Sequence, residues 1–218
     1  MENEMRAPKA AEADGHDDVA VRIARRTLAA RGAGYADEVR RLLDAGLAVM
    51  DRCGTESRPR VADIVAEAGL SNDAFYRHFP SKDALVTAIL EDGTSRLGRY
   101  LERRMARAAD PEARVRAWVG GVLAQADPDV AATTRAVLWN GGGTGGLAAG
   151  RHPASATLAA LLVEPFAALG CPDPAGRATL AAHAALGRLA DLLWAGSAPT
   201  PADGEALVAF LLASARPG

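Results

Sequence analysis

Apolar positions along the chain recur at spacings of three and four, the period of a helix with one buried face. Val39, Leu42, Leu43, Gly46, Leu47, Val49, Met50 and Cys53 place one helix over 36–53, ended by Gly54. A shorter helix ahead of it, 18–31, has Asp17 and Asp18 to cap it and Gly32 and Gly34 to stop it. Pro59 suits the first turn of a helix over 59–68, whose inner face is Val61, Ile64, Val65 and Ala68. Gly69 stops that helix and Ser71 caps the next, 72–79, where Phe75 and Phe79 share a face. Pro80 breaks the chain again. Ser81 caps a long helix from Lys82 to about Arg107, with Gly93 and Gly98 inside it. Beyond Pro111 come Ala/Leu helices at about 111–126, 129–140, 154–169, 174–195 and 202–215, separated by Pro, Gly and Asp. No alternating strand pattern of useful length interrupts them, and no repeat is visible. The expected fold class is all-α.

Composition sharpens this picture. Of 218 residues, 50 are Ala and only 5% are aromatic, which favours close-packed helices over sheets. The length suits one large domain, or a small one joined to a larger one. No uncharged apolar run reaches a membrane-spanning length, and the N-terminus lacks an apolar signal segment, so a cytoplasmic location and no membrane partner are expected. Cys53 and Cys171 are too few for a disulfide framework.

The formal charge of −2 offers no broad basic field, and it is near neutral in each region. Residues 1–34 hold six basic and six acidic groups, 35–104 hold 11 and 12, and 105–218 hold 8 and 9. Residues 1–15 are small and polar, with the composition of a disordered segment. Val19 to Gly34 carries Arg22, Arg25, Arg26 and Arg31 without an acid. That stretch is a solvated helix or a basic arm for a phosphate backbone.

Enzymatic signatures are missing. The GGGTGG of residues 141–146 fits G-x-G-x-x-G formally, but no strand precedes it, so a loop is expected there. His16, His78, His152 and His183 lack metal-ligand spacing, and no nucleophile motif occurs. No catalytic residue, metal or cofactor is expected.

The informative stretch is RPRVADIVAEAGLSNDAFYRHFPSK, Arg58 to Lys82. Two short helices joined through AGLS must cross steeply, as in a helix-turn-helix. The second buries Phe75 and Phe79 and leaves Asn72, Asp73, Ala74, Tyr76, Arg77 and His78 for a major groove. Lys82 is one of two lysines beside 23 arginines. A cation in the first turn of a helix opposes the macrodipole, and a phosphate bound there would reverse that cost.

FYRHFPSKDAL, with DIVAEAGLS before it, resembles the tetracycline-repressor (TetR) family over about residues 36–90. The resemblance implies an N-terminal three-helix DNA-binding domain and a larger helical domain that binds effectors and dimerises. The corresponding segments are a flexible basic extension at 1–34, a helix-turn-helix domain at 35–81, and an effector-binding and dimerisation domain at 82–218. It further implies a homodimeric regulator, usually a repressor, on a palindromic double-stranded operator. The DNA-contacting set is then Arg60, Ser71, Asn72, Ala74, Tyr76, Arg77, His78 and Lys82. Asn72 matches a base-reading position, suited to adenine. Ala74 matches a small residue near the backbone or a thymine methyl, and Arg77 a variable reader. Tyr76 and His78 match phosphate or groove contacts, and Arg60 and Lys82 phosphate contacts. Asp73 and Ala62 depart from the family pattern and put the operator sequence in doubt.

Scarce aromatics in an Ala-rich bundle either fill its core or line a cavity. Trp118, Trp139, Phe166 and Trp194 are such aromatics; Trp118, Trp139 and Phe166, with Asn140, His152 and His183, are the candidate ligand-binding residues for a small, largely apolar effector, and Trp194 is weighed beside them. The Gly-rich stretch 140–151 is a loop or a gate for such a pocket. Ala178, Ala181, Ala182, Ala185, Leu189, Leu192, Leu193, Leu207, Phe210 and Leu211 form apolar faces on the last two helices, where a two-fold dimer contact is expected. Gly93 and Gly98 could let the long helix bend. The competing reading is a helical dimeric interaction module that has lost operator binding, which Asp73 favours.

Overall fold

The computed structural model describes residues 19–141 and 153–215. Among them are nine α-helices and one 3-10 turn, with no strand. In order these are α1 (Val19–Cys53), α2 (Val61–Ala68), α3 (Asn72–His78), α4 (Lys82–Met105) and α5 (Pro111–Leu123). The 3-10 turn Ala124–Ala126 precedes α6 (Pro128–Gly141), α7 (Pro153–Ala168), α8 (Pro174–Ala195) and α9 (Pro201–Ala215). By its contacts the chain divides after Glu38, and the cores and sites below lie within Val39–Gly218.

Two expected helices, 18–31 and 36–53, are one. Gly32 and Gly34 do not take the left-handed backbone that ends a helix, whereas Gly54 does, at φ 56°. Glycine in a helix interior costs roughly 1 kcal/mol relative to Ala, and the Leu, Ala and Arg around it are strong helix formers. The expected extension 1–34 is therefore helical from Val19 on. Its arginines up to Arg31 and the polar segment 1–15 lie outside the described side chains.

The first core joins α1 to α4. Leu42, Val49 and Met50 of α1 meet Ile64 and Val65 of α2, Phe75 of α3, and Leu85, Val86 and Ile89 of α4. The expected boundary between Ser81 and Lys82 is thus not a break in packing, because the first two turns of α4 belong to this core. Gly46 sets the approach of α1 to α4: a Cβ there would stand 2.8 Å from Ile89 Cδ1. α2 starts at Val61, two residues after the buried Pro59 and not at it.

The second core is larger and richer in alanine. It runs from Leu101 through Trp118, Val122, Leu158, Leu162 and Phe166 to Ala182, Leu193 and Leu211. α7 and α8 pack along each other. Ala178, Ala181, Ala182, Ala185, Leu189, Leu192 and Leu193 of α8, with Leu211 of α9, are buried in it. These residues therefore do not form the free dimer face expected of them, because the chain's own α5 and α7 cover α8. Leu207 is half-buried against the same core. Among what α8 and α9 leave outside are Leu180 and Phe210, each 60% exposed, with His183, Gly187, Ala206, Ala209 and Ala213, and Trp194 at the end of α8. No helix among the described residues is long and apolar enough to cross a membrane.

Candidate nucleic-acid interface and candidate ligand cavity

The turn between α2 and α3 is built from three local devices. Gly69 takes φ 61°, ψ 39°, which only glycine adopts without strain, and closes α2. The Leu70 N–H donates back to the Val65 carbonyl at 2.9 Å. Ser71 Oγ then accepts from the Ala74 N–H at 3.1 Å and starts α3. A fourth device comes from a distance. Arg41 Nη2 of α1 donates to the carbonyls of Ala68 at 2.5 Å and Gly69 at 3.1 Å. Those carbonyls are the negative end of α2, so the guanidinium both satisfies them and complements the helix dipole. The amphipathic pattern of α1 marks Arg41 only as polar, and nothing near it in sequence reveals what it holds.

Phe75 is fully buried and Phe79 is 9% exposed, their rings 5.9 Å apart. They anchor α3 and turn Asn72, Asp73, Tyr76 and Arg77 outward. Tyr76 is 58% exposed, its ring edge-on to Phe75 at 5.2 Å. Ala74 differs from expectation. It is 4% exposed and packs inward beside Phe75, so it offers no methyl to a groove. Ser71 is exposed, but its hydroxyl is committed to capping α3. His78 is half-buried at the end of α3.

Lys82 is the first residue of α4, half-buried, beside Ser81 Oγ, which accepts from the Ala84 N–H at 3.1 Å. Arg60 flanks the other side at the start of α2, bonded through Nε to Asp63 Oδ2 at 2.9 Å. This hydrogen bond raises the guanidinium pKa and lowers that of the carboxyl. To grip a phosphate, Arg60 must exchange Asp63 for it. The surface thus presents a short rod of hydrogen-bonding side chains between two cations.

A cavity of about 390 Å³ lies between the two cores. Leu43 and Leu47 of α1 form one wall, and Ile89, Leu90 and Leu97 of α4 another. Val137 and Leu138 of α6, with Leu186, Leu189 and Trp194 of α8, complete it. Its polar residues are Asp44, Asp92, Thr94, Arg96, Gln125, Thr133 and Thr134. Arg96 Nη2 pairs with Asp92 at 2.7 Å and reaches Asp44 of α1 at 3.9 Å. The Thr133 hydroxyl bonds to Asp51 Oδ1, tying α6 to α1.

Of the expected ligand residues, Trp194 lines this cavity, and Trp118, Trp139, Asn140, Phe166 and His183 do not. Trp118 and Phe166 are wholly buried in the second core, and the Trp118 indole donates to the Leu158 carbonyl at 3.1 Å. Asn140 bonds back to the Ala136 carbonyl of its own helix at 2.9 Å. His183 lies on the outer face of α8. Trp139 is 46% exposed and touches the site only through Trp194, edge to face at 6.0 Å. His152, the rest of the GGGTGG motif beyond Gly141, and the Gly-rich stretch beyond it lie outside the described residues.

Residues 42–89, which span the first core, match the family model of the bacterial regulatory proteins of the tetR family. Over 142 residues the chain is 33% identical to an uncharacterized HTH-type transcriptional regulator of Mycobacterium tuberculosis. That match covers 62% of this chain and 64% of the relative, just under two thirds of its length. Among solved structures, the chain is similar to a putative transcriptional regulator from Pseudomonas aeruginosa, at 25% identity and a TM-score of 0.62. That likeness covers 81% of this chain and 91% of the other. A putative TetR-family transcriptional regulator from Mesorhizobium loti shares the fold, at 18% identity and a TM-score of 0.61, over 83% of this chain and 94% of that one. A helix-turn-helix closed by Gly69 and capped by Ser71 thus matches the tetR-family regulatory proteins in sequence over residues 42–89, and the larger helical domain that carries it is similar in fold to the solved regulators.

Proposed function

We propose that the chain is a homodimeric, sequence-specific DNA-binding transcriptional regulator, a repressor released from its operator by a small, largely apolar molecule. The observation that carries this reading is the outward face of α3, Asn72, Asp73, Tyr76 and Arg77, held by buried Phe75 and flanked by Arg60 and Lys82. In a two-fold dimer, two such helices enter successive major grooves about 34 Å apart. The surface that supports dimerisation is the outer one of α8 and α9, where Leu180 and Phe210 stand among small residues that permit close approach. The effector would fill the cavity behind α4 and favour a conformer with mis-spaced reading helices. DNA would by linkage weaken effector binding equally.

The test is binding to the DNA upstream of the chain's own gene across a salt series. A footprinted site with a steep negative salt slope is expected. Tyr76→Ala and Lys82→Ala should each weaken it by about tenfold or more with the fold intact. Binding unaffected by both would refute the surface. Leu180→Glu combined with Phe210→Glu should give a folded monomer by sedimentation and abolish footprinting of the full palindrome. Asp73, an acid on the reading face, favours a second reading as a protein-interaction module, which loss of all DNA binding at low salt would support.

A further inference from the structure

The cavity between the cores has a chemistry of its own. Its apolar lining is aliphatic apart from Trp194, its neutral polar groups are Thr94, Gln125, Thr133 and Thr134, and its charged groups are two carboxylates and one guanidinium, Asp44, Asp92 and Arg96. The lining therefore carries a formal charge of −1. Arg96 is already engaged by Asp92 at 2.7 Å and has Asp44 at 3.9 Å. An anionic ligand could reach Arg96 only by displacing Asp92, which would leave two carboxylates facing the anion. A cation has the opposite balance: it meets an incompletely neutralised pair of carboxylates in a cavity that also has an aromatic residue, Trp194, in its lining. The carboxylates are partly exposed, at 61% for Asp44 and 37% for Asp92, so a charged head can stay near water while an apolar body enters.

We infer that the cavity binds a cationic amphiphile, an apolar body bearing one amine or quaternary ammonium group, with Asp44, Asp92 and Trp194 as the cation's partners. This deepens the proposed function, on whose effector site it rests. It also fixes where occupancy acts. Asp44 sits on α1 and Asp92 on α4, and both helices build the core that carries the reading helix. A head group that draws Asp44 and Asp92 together competes with Arg96, the side chain now joining α4 to α1 there.

Three ten-carbon probes separate head-group charge from apolar burial: decyltrimethylammonium, decanol and decanoate, each titrated below its micellar range against tryptophan fluorescence. Decyltrimethylammonium should bind on the order of tenfold tighter than decanol, and decanoate weakest, from exposed ion pairing plus an aromatic contact. Asp44→Asn combined with Asp92→Asn should remove that preference and leave decanol unchanged. Ala190→Trp, which fills the cavity without altering charge, should weaken all three. Trp194→Phe combined with Trp139→Phe should abolish most of the fluorescence response, because the remaining Trp118 is sealed in the second core. Equal binding of the three probes, tightest binding of decanoate, or a cation preference surviving the double substitution would each overturn the inference. The same titrations with operator fragment present test the regulatory reading separately. Charge-selective binding that leaves operator affinity unchanged would sink ligand-controlled release and keep the cavity chemistry.

Discussion

The two cores solve the same packing problem by opposite means. The first is small and filled by large side chains, with Leu42 and Met50 of α1, Ile64 of α2, Phe75 and Phe79 at α3, and Ile89 of α4 meeting from four stretches of chain. The second draws seven of its buried residues from alanine, four of them on α8. Large side chains interlock and fix where each helix sits, so the first core can hold α3, a helix of only seven residues, in one orientation. Alanines let helices approach closely but specify little, and where the helices diverge they leave a space. The cavity lies along this divide, walled by aliphatic residues of both cores, Ile89 from the first and Leu158 and Leu189 from the second among them.

That contrast can be broken most sharply at Phe75. Phe75→Ala removes a wholly buried ring and should cost about 3–5 kcal/mol in denaturant unfolding, close to the stability of the whole domain. A cost under about 1 kcal/mol would mean that the first core is plastic and does not fix α3.

The second core should instead fail by crowding. Ala182 is wholly buried on α8, and Ala182→Leu should cost about 1–3 kcal/mol by the same measurement. If the larger side chain is accepted without loss, the helices there are looser than close packing requires.

Between the cores, α4 offers a third probe. A Cβ on Gly93 meets nothing within 4 Å, so Gly93→Ala should stabilise the protein by about 0.5–1 kcal/mol. If α4 bends at Gly93 in response to effector, the same variant should lose release from DNA. Unchanged release with raised stability would remove the hinge.

The smallest effect belongs to the start of α9. The Asp203 carboxylate accepts from the Thr200 hydroxyl at 2.7 Å, the Thr200 N–H at 2.8 Å and Arg188 at 2.5 Å. These contacts lower its pKa from the ordinary 3.8 to about 2. Its folded pKa lies below its unfolded one, so its contribution is fully present above pH 3.8 and is lost as pH falls toward 2. Asp203→Asn should therefore unfold more easily at pH 7, with the difference shrinking below pH 4. A difference independent of pH would show that charge plays no part in the cap.

The same contrast explains what the sequence made legible. The short helices of the first core are punctuated by residues with one structural meaning, Gly69 for a left-handed turn, Ser71 and Ser81 for caps, Pro80 for a break, and each fell where expected. Ala74 was misplaced because a small residue suits an interior as well as a groove, and only the packing of Phe75 decides between them. In the second core the helices were legible and their faces were not. Alanine on every side of α8 hides which face is inner, so its buried face passed for a dimer contact. Of the scarce aromatics, Trp194 does line the cavity while Trp118 and Phe166 fill the core, and most of the wall is aliphatic, including Leu43 and Leu47 from the buried face of α1. A cavity between two cores is set by the spacing of helices far apart in sequence, which no local pattern encodes.

Arg41 bears on how far this reading module can be transplanted. Its bonds to the Ala68 and Gly69 carbonyls make the exit of α2 depend on a side chain 27 residues upstream. A recognition segment cut at Arg58 and grafted into another scaffold would arrive without that tether. Its helices would keep their caps but lose the reference that sets their direction. Exchange of DNA specificity between relatives should therefore succeed when α1 travels with the turn, and swaps of α2 and α3 alone should work only into hosts that already have an arginine at the position of Arg41.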